Sequence, residues 1–241
     1  MSARQLGLPF RHEASYREAD FVTAPSNIEA RAWFGQPWPD RRLALWGGEG
    51  TGKTHLLHAW AARVGAAVLY GPELHQWHVE ARARVAPWAL AVDDADLVAD
   101  EAVLLHLLNA AAEQEQPVLL AGREPPARWG VALPDLASRL RAAVAVELGP
   151  ADDFLLRILL ARLLSERQVI VPQTVQEWLV LHLPRTASAV REAVARLDRL
   201  TLARGRPVTR GLAAEVAASL AGDDGVATEA VPASPSGPLL L

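Results

Sequence analysis

The chain has 241 residues, a formal net charge of −4 at pH 7 and 51% hydrophobic residues, so it can bury a large core and is not a wholly disordered protein. It contains no cysteine, which excludes disulfide frameworks, thiolate zinc sites and cysteine nucleophiles. The negative net charge argues against electrostatic binding of nucleic acid over the whole protein surface. No apolar run approaches the ~20 residues of a membrane span and no signal peptide is evident, so we expect a cytoplasmic protein with no membrane partner.

The predicted elements begin after residue 12, because residues 1–12 show no periodicity and predict a mobile, extended tail. Over residues 13–150, short apolar runs alternate with segments of helical period. This alternation predicts an α/β domain with a mainly parallel five-stranded sheet sandwiched by helices. The predicted strands are Leu43–Trp46, Ala67–Tyr70, Ala89–Val92, Val118–Ala121 and Ala143–Val146, and the predicted helices are Ser26–Phe34, Thr54–Val64, Glu101–Glu115 and Asp135–Arg141.

The pattern changes after Pro150, where only helical segments follow. They predict a small all-helical domain over residues 151–221. Residues 222–241 are rich in Ala, Pro, Ser and Gly, which predicts a disordered tail. The four predicted helices are Asp152–Arg167, Thr174–His182, Thr186–Ala203 and Arg210–Leu220.

A glycine-rich run between the first predicted strand and the next helix fits the phosphate-loop pattern G-x-x-x-x-G-K-[ST] at every fixed position. Its glycines allow backbone N–H groups to surround phosphate oxygens, Lys53 reaches the β- and γ-phosphates, and Thr54 offers a hydroxyl to Mg²⁺. Lys53 is the only lysine among 24 lysines and arginines, as expected where a compact ammonium is required. We therefore expect ADP or ATP with Mg²⁺ to bind at Gly47, Gly48, Glu49, Gly50, Thr51, Gly52, Lys53, Thr54 and His55.

Two acids, Asp93 and Asp94, end the predicted strand Ala89–Val92, which is the Walker-B pattern. Asp93 would hold Mg²⁺ together with Thr54, and Asp94 would orient or deprotonate the attacking water. The alternative is a solvated strand end in which Asp94 is a turn residue. The complete phosphate loop favours the catalytic interpretation.

Further segments carry a resemblance to a known family. The run from Gly52 to Ala59, G-K-T-H-L-L-H-A, resembles the nucleotide-binding loop of the DnaA replication-initiator family within the AAA+ ATPases. The resemblance extends over about Phe21 to Leu220 and implies a P-loop AAA+ module followed by a helical lid. It implies that Phe21 and Asn27 line the adenine pocket.

The resemblance also assigns two arginines. The segment P-D-L-A-S-R-L resembles the one that bears the arginine finger, at Arg139, and S-A-V-R-E resembles the sensor II helix, at Arg191. The resemblance implies that both act on nucleotide, Arg139 on that of a partner. The alternatives are an ordinary surface arginine and a charge on a helix surface.

Two departures from the family pattern bear on function. Initiators continue into a DNA-reading helix-turn-helix domain, whereas this chain has one more predicted helix and a tail, so we expect no sequence-specific DNA binding. Initiators also carry a polar Ser-Asp pair after the strand Val118–Ala121, where this chain has Gly122 and Arg123. We therefore expect weak intrinsic ATPase activity at most.

The N-terminal segment Q-L-G-L-P-F is similar to the short peptide that docks on the bacterial sliding clamp. Gln5 would supply hydrogen bonds, and Leu6, Leu8, Pro9 and Phe10 would form the apolar anchor. The alternative is a tail that packs back on its own domain.

Together, the AAA+ module, the absent DNA-reading domain and the clamp peptide resemble the regulatory members of the family. The resemblance implies a negative regulator of replication initiation that works in its ADP-bound form. It would dock on the DNA polymerase sliding clamp and stimulate ATP hydrolysis by DnaA through Arg139. The sequence leaves open whether the protein also forms a homo-oligomer.

Two other functions remain open. The first is an independent AAA+ ATPase such as a helicase loader, which would show substantial basal turnover. The second is a DNA-binding replication factor, which rests only on the arginines of the helical part.

Overall fold

The computed structural model describes residues 21–76, 88–204 and 207–223. The predicted tail over 1–12, with all five clamp-peptide residues, lies outside the described residues, as does the predicted tail over 222–241 beyond residue 223. By its internal contacts the chain divides into two compact units. The first comprises Met1–Leu159 with Arg185–Ala187, and the second Leu160–Pro184 with Ser188–Leu241. The predicted domain boundary at 150–151 stays a prediction.

The first unit is built on a five-stranded sheet in which every strand pair is parallel. Its order is β2-β3-β4-β1-β5. All strands therefore end at one edge of the sheet, here called the carboxyl edge, and begin at the opposite, amino edge. The α/β prediction is confirmed, with predicted strand ends within one residue of those observed. The strands are β1 (Arg42–Trp46), β2 (Ala67–Tyr70), β3 (Leu90–Asp93), β4 (Val118–Gly122) and β5 (Val144–Glu147).

Four described helices belong wholly to this unit, namely α1 (Ile28–Trp33), α2 (Lys53–Val64), α3 (Glu101–Glu113) and α4 (Pro134–Ala142). Two are shorter than predicted. α1 starts only at Ile28 because Asn27, at its N-cap, has a non-helical backbone. α3 ends before the predicted Glu115, which adopts a left-handed φ of 54° that stops the helix.

Alternation along the strands produces a core on each face of the sheet. On β1, Leu43 and Leu45 point to the face covered by α1 and α2, where Leu57 and Trp60 are buried with them. Ala44 points to the other face, which α3 and α4 cover. The side chains buried there include Leu104, Leu107, Leu108, Leu136 and Leu140. Helices thus cover both faces of the sheet and bury them from solvent. This packing holds in place the strand ends that carry the polar residues.

The second unit is helical, as the sequence predicted. It contains the end of α5 (Asp153–Glu166), then α6 (Gln173–His182), most of α7 (Ala187–Arg204) and α8 (Arg210–Asp223). α6 packs against α8. Among the described residues, no helix is both long and apolar enough to span a lipid bilayer.

Gly71, directly after β2, is a point of steric constraint. A Cβ at this position would overlap the carbonyl oxygen of Asp94. We expect Gly71→Ala to lower the free energy of unfolding by about 1–3 kcal/mol, because backbone must move to admit the methyl group. Gly130→Ala is the control, since nothing lies within 4 Å of its Cβ position, and it should change stability by less than ~0.5 kcal/mol. Urea unfolding measures both, and equal midpoints for the two variants would contradict this steric constraint.

Candidate functional site

The phosphate-loop residues form a tight turn between β1 and α2 at the carboxyl edge. Gly50 and Gly52 have φ values of 73° and 99°, a region that side chains other than glycine rarely adopt. Gly47 lacks room for a side chain because a Cβ would overlap the carbonyl oxygen of Leu148. The Thr51 hydroxyl donates a hydrogen bond of 3.0 Å to the Gly48 carbonyl oxygen, closing the turn. The loop thus has the backbone freedom that a phosphate cradle needs.

Lys53 is the first residue of α2, and only 7% of its surface is exposed. Its Nζ donates hydrogen bonds to the carbonyl oxygens of Gly47, at 2.7 Å, and Gly48, at 2.8 Å. Burial lowers the pKa of Lys53, while the carboxylates of Asp94, Asp93 and Asp96 oppose that shift. The ammonium therefore lies inside the loop, where it can reach a phosphate.

Asp93, the last residue of β3, is also only 7% exposed. Burial raises the pKa of its carboxyl group, and a hydrogen bond from the Thr54 side chain opposes the shift. The backbone N–H of Asp94 donates a further hydrogen bond of 3.2 Å to Asp93 Oδ1. The pairing of Asp93 with Thr54 is the one that the predicted Mg²⁺ site requires.

Asp94 is held from the neighbouring strand β2. Its backbone is left-handed, with φ 49° and ψ 44°, and its carbonyl oxygen lies against Gly71. Its side chain shares a hydrogen bond with Tyr70, whose pKa is raised chiefly by burial and then by Asp94. Both the backbone and the carboxylate of Asp94 are therefore fixed by the end of β2.

A third acid, Asp96, belongs to the turn after β3, but its carboxylate lies beside Gly122 and Arg123 at the end of β4. The sequence alone had indicated only Gly122 and Arg123 there. Asp96 Oδ2 accepts a hydrogen bond of 2.7 Å from the backbone N–H of Arg123. Gly122 leaves room for this carboxylate, since a Cβ there would lie 3.1 Å from Asp96 Cγ. An acid is thus present beside Arg123, although it comes from the turn after β3.

Phe21 lies beside the phosphate loop. Its ring centroid is 5.5 Å from that of His55, which is buried on α2. Phe21 also lines a cavity of about 420 Å³ between α1 and α2, with Leu56, Trp60 and Arg63 among the other lining residues. Phe21, Leu56 and Trp60 give this cavity an apolar wall beside the loop.

Asn27 is buried and both ends of its side chain bond to nearby backbone. Its Oδ1 accepts a hydrogen bond from the Ala24 N–H, and its Nδ2 donates one to the Val22 carbonyl oxygen, each 3.0 Å long. Asn27 therefore shapes the segment that carries Phe21. Its contact with adenine stays a prediction.

Arg139 lies on α4, away from the phosphate loop of its own chain. Its carbonyl oxygen accepts a long hydrogen bond, 3.5 Å, from Nη1 of Arg42, the first residue of β1. α4 leads into β5 at the amino edge, where Leu43 pairs with Val144. The loop follows the other end of β1, roughly 13 Å further on at about 3.3 Å per residue.

Arg191 lies exposed on α7 in the second unit, and its sensor II role stays a prediction. Four further residues of these sites, Tyr70, Gly71, Asp96 and Arg42, were not predicted from the sequence. Tyr70 could have been found, because a polar residue at the end of a strand in a parallel sheet belongs to the carboxyl edge.

The residues present fit a nucleotide with Mg²⁺. Lys53, the loop glycines and the start of α2 provide phosphate donors, and Thr54 with Asp93 provides two oxygen ligands. Within the described residues, no group of three or more His, Cys, Asp or Glu side chains could hold a metal ion. A magnesium ion at this edge would therefore take phosphate oxygens as further ligands, as it commonly does.

No family model matches the chain. Domain III of the Thermotoga maritima replication initiation protein DnaA is similar over 86% of this chain and 98% of its own, with a TM-score of 0.73 and 18% identity. The chain has the AAA+ fold of DnaA domain III. DnaA from Aquifex aeolicus, bound to AMPPCP, is similar over 80% of this chain and 68% of its own, with a TM-score of 0.64 and 20% identity.

A protein with a different function also has a similar fold. The RuvB Holliday junction branch migration motor of Thermotoga maritima is similar over 80% of this chain and 65% of its own, with a TM-score of 0.60 and 22% identity. At such identities the likeness concerns the fold. Function must therefore be argued from the site residues of this chain.

The raised pKa of Asp93 predicts a stability effect. The folded state binds this proton more tightly than the unfolded chain, so ionisation destabilises the fold as the pH rises from the ordinary value of 3.8 through the raised one. We expect Asp93→Asn to be more stable than the wild type at pH 7, with a difference that shrinks as the pH falls toward 3.8. Urea unfolding across this pH range measures it, and Glu147→Gln, which removes an exposed carboxylate from the last residue of β5, is the control. A destabilised Asp93→Asn at pH 7 would refute the assignment.

Proposed function

We propose that the chain binds ADP or ATP with Mg²⁺ at the carboxyl edge of its sheet. The buried Lys53 ammonium inside a glycine loop supports this, because it provides positive charge where a phosphate would lie. Thr54 and Asp93, joined by a hydrogen bond, would hold the metal ion. When bound, a magnesium ion would neutralise part of the negative charge of the phosphates. The AMPPCP-bound state of the similar Aquifex aeolicus DnaA agrees with this site.

We further propose that the protein is a negative regulator of replication initiation, most like Hda, the regulatory inactivator of DnaA. In this proposal it pairs with ATP-bound DnaA and Arg139 acts on the nucleotide of that partner. An arginine finger stabilises charge on the transferred phosphate and contributes a factor of about 10³–10⁵ in rate.

The position of Arg139 carries this proposal. It lies toward the amino edge, across the length of β1 from the phosphate loop of its own chain. Its guanidinium makes no hydrogen bond or ion pair with any residue in the described ranges, so its charge remains to be paired. An unpaired guanidinium remote from its own nucleotide site suits action on the nucleotide of a second molecule.

The remaining parts of the proposal rest on the resemblance. The chain would work in its ADP-bound form in the cytoplasm, at the replisome, with Arg191 sensing its own nucleotide. Gln5, Leu6, Leu8, Pro9 and Phe10 would dock on the sliding clamp. A peptide this short pays an ordering cost, so one copy should bind modestly and depend on the repeated pockets of a ring-shaped clamp.

The second candidate is an independent AAA+ ATPase such as a helicase loader. The carboxylate of Asp96 favours it, because an acid lies beside Arg123 where the sequence had indicated none. Asp94, which is fixed by Tyr70, would be the group that orients water. Steady-state turnover without any partner separates the two candidates, since the regulator should show weak basal hydrolysis.

We expect Lys53→Arg and Lys53→Ala both to weaken ADP binding by about 10- to 100-fold, the effect of one charge-assisted hydrogen bond. The planar guanidinium cannot occupy the narrow position between two loop carbonyls that the ammonium holds. Isothermal calorimetry measures the affinity. Arg128→Ala, which removes an exposed arginine from a turn after β4, is the control and should bind ADP like the wild type. Unchanged affinity in Lys53→Arg would argue against this site.

Hydrolysis by ATP-bound DnaA, measured with and without DNA-loaded clamp, tests the regulatory proposal. We expect Arg139→Ala to keep clamp binding and lose stimulation by at least ~10³-fold. The double change Leu6→Ala with Leu8→Ala should lose clamp binding and clamp-dependent stimulation, with ADP affinity intact. A double variant that still binds clamp and still stimulates DnaA would show that the tail is not the docking element, and full stimulation by Arg139→Ala would exclude the finger.

A further inference from the structure

A strained rim lies at the amino edge of the sheet, near Arg139. Asp40, Arg41 and Glu115 have φ values of 47°, 56° and 54°, although none is a glycine. Arg41 holds the rim together, because its Nη1 donates to the Glu115 carbonyl oxygen at 2.8 Å and its Nη2 to Glu115 Oε2 at 2.7 Å. Strained backbone of this kind persists only where surrounding contacts over-determine it, and it concentrates at functional sites.

Arg42 lies between this rim and α4. Its side chain is only 12% exposed, whereas that of Asp40, its ion-pair partner at 3.7 Å, is 62% exposed. On its other side, Nη1 donates the hydrogen bond of 3.5 Å to the Arg139 carbonyl oxygen. Burial lowers the pKa of Arg42, Asp40 opposes the shift, and the positive charge of Arg139 adds to it. The two guanidinium groups are thus close enough to repel each other.

This arrangement explains how Arg139 keeps its charge unpaired. Arg42 forms an ion pair with the nearby carboxylate of Asp40, and its own charge disfavours any side-chain conformation that brings the Arg139 guanidinium to Asp40. Arg42 is itself too buried to reach a phosphate on another molecule. Its effect must therefore pass through Arg139.

We infer that Arg42 is a positioning residue for Arg139, which keeps that guanidinium unpaired and available for a phosphate group held by a partner protein. The inference rests on the proposed function of Arg139 in trans. It adds a residue that lies outside the segment resembling the arginine-finger motif. Positive charge at position 42, beyond the mere presence of a side chain, is what the role requires.

A partner-free experiment tests the position of Arg139 directly. The rate at which phenylglyoxal modifies Arg139, measured by mass spectrometry with Arg128 as internal reference, should fall several-fold in Arg42→Met, because Asp40 then captures Arg139. Arg42→Lys keeps the charge and should keep the wild-type rate. Asp40→Asn combined with Arg42→Met should restore it, and Arg41→Met, which breaks only the pair with Glu115, should leave it unchanged.

An activity experiment tests the consequence. In the DnaA hydrolysis assay we expect Arg42→Met to lower the maximal stimulated rate about 3- to 10-fold, with the half-saturating concentration of this protein and its ADP affinity unchanged. Arg42→Lys should retain most of the stimulation. If Arg42→Met does not fold, Arg42→Gln replaces it in both experiments.

The outcomes separate the two claims. Equal modification of Arg139 in the wild type and in folded Arg42→Met or Arg42→Gln overturns the inference, as does a loss in Arg42→Lys equal to that in Arg42→Met. If Arg139→Ala stimulates like the wild type, the proposed function fails, while the modification rates still decide whether Arg42 positions Arg139.

Discussion

The buried ammonium of Lys53 is the interaction on which the site depends. A positive charge at the first residue of a helix is unfavourable, since the helix dipole places its positive end there, and burial adds a desolvation cost. Two loop carbonyls accept hydrogen bonds from it, and three carboxylates, those of Asp93, Asp94 and Asp96, provide opposing charge. The glycines, the turn after β3 and the end of β2 all serve to bring these groups to one place.

That convergence follows from the parallel sheet. In an all-parallel sheet every strand ends at the same edge, so the polar residues at or after the ends of β1, β2, β3 and β4 come together there. The same rule places the beginnings of the strands at the opposite edge, where Arg42 and Arg139 lie. Charged groups therefore lie at both edges. Three carboxylates act on Lys53 at the carboxyl edge, whereas at the amino edge, among the described residues, only Asp40 forms an ion pair with Arg42 and none does with Arg139.

Much of this could be predicted from the sequence, because it depends on local patterns. The phosphate loop, the five strands and the helical second part all follow from short-range periodicity and glycine spacing. The order of the strands could not be predicted, since no local pattern states that β2 adjoins β3. For that reason the contacts of Tyr70 and Gly71 with Asp94 could not be predicted, although Tyr70 itself could have been placed at the carboxyl edge as the polar end of a strand. Arg42 was missed because its burial depends on α4, which follows it by almost one hundred residues.

The end of β4 shows where reasoning from single positions fails. The resemblance to initiators implies an acid after this strand, and Arg123 in that position predicted weak hydrolysis. In the folded chain, Asp96 brings a carboxylate to the Arg123 backbone from the turn after β3, and Gly122 leaves the space it needs. One oxygen of Asp96 is buried and makes no hydrogen bond to a described residue. Asp96 and Arg123 therefore form one arrangement at the end of β4, and the effect of Arg123 cannot be judged from its own position alone.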